Sequence, residues 1–127
     1  MRIFKNIWFT RFADKEGVSD SELRETVNQL EARQADADLG GDVYKMRIAR
    51  PGEGKSGGYR VIVFFRSRER TFFAYGFAKS DRSNISQKEL KKLKKQASSL
   101  LSMSEDMIKT ALKEGVIIEV LENCHER

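Results

Sequence analysis

Histidine, cysteine and proline are nearly missing from this chain: His125, Cys124 and Pro51 each occur once. A lone cysteine excludes an intrachain disulfide, which suits a reducing compartment. One Cys and one His, adjacent at the C-terminal end, exclude a Cys/His metal cage built within one chain. They also leave Ser-His and Cys-His catalytic pairs nothing but the tail to use. No metal or other cofactor is expected. Long apolar runs are missing too. The longest, Val61 to Phe65, is far too short to span a bilayer. The opening MRIFKNIWFTRFADKE is broken by Lys5 and Arg11, and no apolar core of a secretory signal follows it. The expectation is a protein of the cytoplasm with no membrane partner.

What is present suffices for one domain, residues 1–127. Apolar residues make up 39% of the chain and eight are Phe. A chain of this length buries about two-thirds of its unfolded surface and needs no staple. The net charge is +5 and is unevenly spread. Residues 1–41 hold six Lys/Arg against eight Asp/Glu, residues 42–95 fifteen against five, and residues 96–127 three against six. A basic middle between acidic flanks is the footprint of a polyanion site, most often nucleic acid. The competing reading is a solvated basic surface without a partner.

That middle reads as a meander. Val43–Arg50 alternates, with Lys45 and Arg47 pointing one way and Tyr44, Met46 and Ile48 the other. Tyr59–Arg66 is rich in β-branched and aromatic residues, and Thr71–Ala78 in aromatics. Pro51 to Gly58 is a turn of breakers joining the first two strands. The hairpin gathers Lys45, Arg47, Lys55 and Arg60.

Before the meander, Ile3 to Phe12 is predicted as a strand, with Trp8 in the core rather than serving as a base-stacking platform. Ser19 and Glu22 form a capping box that opens a helix running to about Ala37, before Gly40-Gly41. After it, Ser86 and Glu89 form a second box. The helix Gln87–Leu101 buries a leucine stripe and turns five lysines outward. Lys91 and Lys95 among them either track a phosphate backbone or simply face solvent. Ser102 or Ser104 caps a third helix with Glu105 and Asp106 in its first turn, and Gly115 stops it. Val116–Leu121 reads as a last strand, and residues 122–127 as a frayed tail. The order β-α-βββ-α-α-β is an α+β fold.

Two motifs fail on context. Gly54-Lys55-Ser56 resembles the end of a phosphate-binding loop, but Ala49 stands where the first Gly is required and a strand follows where a helix N-terminus should be. Tyr75-Gly76-Phe77-Ala78 resembles part of an RNA-recognition motif, yet the strand order does not fit.

The run YKMRIARPGEGKSGGYRVIVFF, followed by a strand and then FAKSDRSNIS-KEL, resembles the RelE/HigB family of bacterial type II toxin–antitoxin toxins. The likeness covers about Phe9 to Leu101. It is strongest in the G-K-S-G-G-Y-R core within Arg47 to Arg60 and in the element Phe77 to Asn84. The resemblance implies a curved antiparallel sheet flanked by N- and C-terminal helices. It also implies a metal-independent endoribonuclease that cuts mRNA in the ribosomal A site. The implied partners are the ribosome with its mRNA and an antitoxin, often a helix-turn-helix protein, through which alone operator DNA would be contacted.

Metal-free RNA cleavage lets the 2′-OH attack its own phosphate, so a proton must be removed, a dianion stabilised and the leaving 5′-oxygen protonated. Cations aimed at the developing charge supply the middle requirement. By the resemblance, Lys45, Arg47 and Arg60 occupy catalytic positions. Arg60 is assigned to transition-state charge, and Lys45 is the better candidate for proton transfer. Arg47 and Lys55 bind phosphate, with Lys79, Arg82, Lys91 and Lys95 as further RNA contacts. The pattern departs from the family where some members carry an Arg and a Tyr. Ser80 and Ser86 stand there, and Lys79, Arg82 and Tyr75 are alternatives for the acid. The other functional reading is a non-catalytic module holding RNA or an antitoxin on the same basic sheet.

Overall fold

The structure, a computed structural model, describes residues 1–50, 54–78 and 85–121, apart from the side chains of residues 50 and 54–57. In chain order the elements are β1 (Arg2–Asn6), α1 (Ile7–Glu16), α2 (Asp20–Glu31), β2 (Ala37–Gly40), β3 (Val43–Arg50), β4 (Gly54–Arg66), β5 (Arg70–Ala78), α3 (Gln87–Leu101), α4 (Glu105–Glu114) and β6 (Ile117–Val120). The strands form one sheet in the order β2-β3-β4-β5-β1-β6. All neighbours are antiparallel except β1 and β5, so the α+β sheet is mixed.

Strand alternation divides the core. Met46, Tyr59, Val61, Val63 and Phe73 face α1 and α2. Val43, Ile62, Phe64 and Phe72 face α3 and α4. The meander and both capping boxes fall where the sequence places them.

Three expectations need correction. The strand predicted to reach Phe12 ends at Asn6 and turns into helix. Asn6 caps that helix by accepting the Phe9 N–H at 2.7 Å, and its Nδ2 donates to the Ala74 carbonyl at 2.9 Å. Phe9 and Ala13, four residues apart, then bury the inner face of α1, a helical period hidden under residues of high strand propensity. Trp8 in consequence leaves the core and is 44% exposed. Next, the helix from Ser19 stops at Glu31, because Arg33 turns left-handed at φ 61° and the chain then pairs as β2. Finally, strand β4 begins at Gly54, so much of the predicted turn is strand. Pro51 and its two successors, the break at 81–84 and the tail lie outside the described residues.

Several basic residues are structural. Lys5, 8% exposed, bonds Asp20 at 3.2 Å in the first turn of α2. Arg66 and Arg70 donate to carbonyls ending α3 and starting its connection to α4: Leu101 at 3.3 Å and Met103 at 2.7 Å. The Leu101 carbonyl is among the last four of α3, which have no partner within the helix, and a cation there suits the helix dipole.

Helix α1 lies close on β5 because Gly76 has no side chain; a Cβ there would come within 2.6 Å of the Phe12 ring. Gly76→Ala should therefore cost about 1–3 kcal/mol by overpacking, read as a lower urea midpoint with an unchanged m-value.

Candidate active site

The register of β3, β4 and β5 arranges two rows of side chains on the α3 face. Lys45, Ile62 and Tyr75 form one row; Arg47, Arg60 and Phe77 form the next. The apolar packing beneath α3 reaches Ile62 and Tyr75, so the second row continues the sheet as charge. Directly opposed residues hold their Cβ atoms roughly 5 Å apart, and Lys45 sits about 7 Å along the strand from Arg47. Lys45, Arg47 and Arg60 therefore share one face, as the alternation of β3 predicts.

Their surroundings differ. Lys45 and Arg60 are half-buried; Arg47 is exposed. Arg47 is held by Asp36 just before β2. The carboxylate accepts its backbone N–H at 2.7 Å and its Nε at 3.3 Å, and pairs with Nη2 at 3.3 Å. Arg60 stands directly across from this cation, and its Nη1 is buried without a hydrogen-bond partner among the described residues. A guanidinium nitrogen has no acceptor capacity of its own, so a buried one without an acceptor is costly.

The remaining sequence-predicted residues divide. Lys55 has its backbone in β4, but its side chain lies outside the described residues, as do Lys79 and Arg82 entirely. Lys91 and Lys95 are exposed on α3 and are not part of the two rows. Tyr75, a candidate acid, is the diagonal neighbour of Arg60 on the same face.

Sequence reasoning missed the surroundings of Trp8. Its ring stacks on Phe12 at 5.7 Å and tilts against Tyr75 at 4.6 Å. Arg11 and Lys15 lie beside it on α1. The signal was the spacing of Trp8, Arg11 and Lys15, three and seven apart, which is legible once the segment is read as helix.

A larger hollow, about 630 Å³, lies elsewhere, where α2 ends beside β2 and β3. In its lining Glu31, Asp36, Asp38 and Asp42 outnumber Arg33 and Arg66. Tyr44 there is raised in pKa by burial first and then by Asp38 and Asp42. That rim has the wrong sign for phosphate. Among the described residues no group of three or more His, Cys, Asp or Glu is placed to hold a metal ion, and no helix is long and apolar enough to cross a membrane.

A six-stranded mixed sheet with helix pairs on both faces is an α+β architecture consistent with a RelE-like fold. The family model described as "RelE toxin of RelE / RelB toxin-antitoxin system" matches residues 1–120, and the chain belongs to that family. It is thus a toxin of a toxin–antitoxin system, with an antitoxin as its partner. No individual curated protein matches it in a sequence search.

Asp36→Asn keeps an acceptor for the Arg47 N–H but removes the charge. It should release the Arg47 guanidinium, so that the protein elutes from heparin at higher salt than the parent. Unchanged elution would place Arg47 outside the polyanion surface.

Proposed function

We propose that this toxin is a ribosome-dependent, metal-independent endoribonuclease that cuts mRNA in the A site and so stops translation in the cytoplasm. The observation that carries the reading is the row of Arg47 and Arg60 with Lys45 beside it, in which one guanidinium nitrogen of Arg60 has no hydrogen-bond partner among the described residues. The whole chain, residues 1–127, serves as one toxin domain. Its antitoxin is a helix-turn-helix protein, and operator DNA is met through that partner alone.

In this reading the scissile phosphate lies over the Arg47–Arg60 row. Lys45 takes the proton from the 2′-OH as the 2′-oxygen forms its bond to phosphorus. The equatorial oxygens gain charge, which Arg60 meets with parallel N–H donors. The bond to the 5′-oxygen breaks, and that oxygen leaves with a proton, so the products are a 2′,3′-cyclic phosphate and a 5′-hydroxyl. Tyr75 is the described candidate for that acid; Lys79 and Arg82 are the others. Arg47 positions the phosphate after exchanging Asp36 for it, and Lys55, Lys91 and Lys95 add charge along the RNA.

Removing a donor to the developing charge typically costs about 10²–10³ in rate. Arg60→Ala should therefore relieve the growth arrest that the parent causes in a bacterial host, while still co-purifying with antitoxin. Toeprinting of translating ribosomes should give new A-site ends with the parent and none with Arg60→Ala. Equal toxicity of the two proteins would sink these roles. The Asp36–Arg47 pair favours one other reading, a non-catalytic RNA-holding module whose cation is already neutralised. That module would bind RNA in a salt-dependent way and leave no new ends.

A further inference from the structure

We propose that the cleft where α1 leans on the free edge of β5 is a nucleobase subsite, in which one base of the RNA stacks on Trp8 and Tyr75 while Arg11 and Lys15 hold the adjoining phosphates. The inference rests on the nuclease reading and deepens it, because the subsite adjoins the catalytic row.

The geometry comes from the edge of the sheet. Beside β5, strand β1 pairs as far as Phe73; beyond it α1 takes the neighbouring place. The cleft encloses about 460 Å³, within the range of small-ligand sites. Trp8 is 44% exposed although it is the chain's single tryptophan and lies among other aromatic rings. Phe12 backs it at an interplanar angle of 14°, and Tyr75 flanks it at 39°. Tyr75 in turn meets Phe77 at 6.0 Å. Phe77 is the cross-strand partner of Arg60, so the aromatic series ends one strand spacing, about 5 Å, from the proposed catalytic arginine.

The charge in the cleft also fits. Arg11 and Lys15 are exposed and enter no ion pair among the described residues. Glu16 also lines the cleft, but its carboxylate accepts the Tyr59 hydroxyl at 2.9 Å. Aromatic rings interleaved with cations bind single-stranded nucleic acid through base stacking and phosphate contact. An apolar protein segment would instead leave both cations without acceptors.

Because Trp8 is the sole tryptophan, its fluorescence reports this cleft. Antitoxin-free toxin is titrated with a short single-stranded oligoribonucleotide, fully 2′-O-methylated so that it cannot be cut. Saturable quenching of the parent is expected. Trp8→Ala should bind the labelled oligonucleotide roughly ten-fold more weakly by anisotropy, with Trp8→Phe within a few-fold of the parent. Binding without quenching, parent-like affinity of a folded Trp8→Ala, no binding at all, or a signal that answers antitoxin and not RNA would each overturn the subsite. Quenching without new A-site ends would instead refute the nuclease reading and leave the subsite standing.

Discussion

The cationic surface of the sheet depends on one pairing register. Arg47 faces Arg60 because β3 and β4 run antiparallel with Met46 opposite Val61. That register buries Met46, Tyr59 and Val61 on the α1/α2 side. A slip of one residue in either strand would exchange its faces, sending the cations into the core and the apolar set to the other side. Hydrophobic burial therefore fixes the position of the charges. The cost is a like-charged pair directly opposed across two strands, which is unfavourable in a sheet. Asp36 offsets the charge on Arg47 but not on Arg60, whose Nη1 has no acceptor among the described residues. A sheet built for stability alone would have no reason to keep this arrangement.

A second constraint fixes α1. Asn6 ends β1, caps the helix and bonds the Ala74 carbonyl, tying the helix start to β5. Ala74 is also where β5 carries an extra residue against β4, since Ile62 pairs with Tyr75 and Val63 with Phe73. Ala74 and Tyr75 consequently both pack toward the α3 side. Bulges of this kind re-aim side chains, and here the bulge brings Tyr75 toward Trp8. Gly76 then permits the Phe12 ring to approach the strand. Three small features, a cap, a bulge and a missing side chain, thus place an aromatic edge beside a cationic row.

Much of the fold was legible because its signals are local. Ser19 with Glu22 and Ser86 with Glu89 announce helices through side chains that answer backbone groups three residues away. The alternation of Lys45, Met46, Arg47 and Ile48 announces both a strand and its faces. Segment Ile7–Phe12 departs from its local signal because its propensity favours strand while Asn6 and the packing of Phe9 impose helix. Ala37–Gly40 is too short for the alternation of Ala37, Asp38 and Leu39 to announce a strand; it is a strand because β3 offers an edge to pair with. In the site, alternation made the shared face of Lys45 and Arg47 legible. The Asp36 contact, bridging residues eleven apart in sequence, was not.

Charge counting illustrates the same limit from another side. The fifteen Lys/Arg of residues 42–95 suggest a broad polyanion surface. The structure sorts them by partner. Arg66 is bound to Asp42 and the Leu101 carbonyl, and Arg70 to Glu105 and the Met103 carbonyl, so both are committed to closing α3 and its connection. Arg47 belongs half to the fold and half to the surface. Arg11 and Lys15, from a stretch that is acidic on balance, do not appear in that count, yet they stand open beside Trp8. Field strength at a phosphate depends on cations whose countercharge is absent, not on cations in total. Judged that way, the positive surface runs from Arg60 across Phe77 to the α1 edge. An RNA strand following it would meet a row of cations and then a row of aromatic rings, the order in which a scissile phosphate and its neighbouring base would need them.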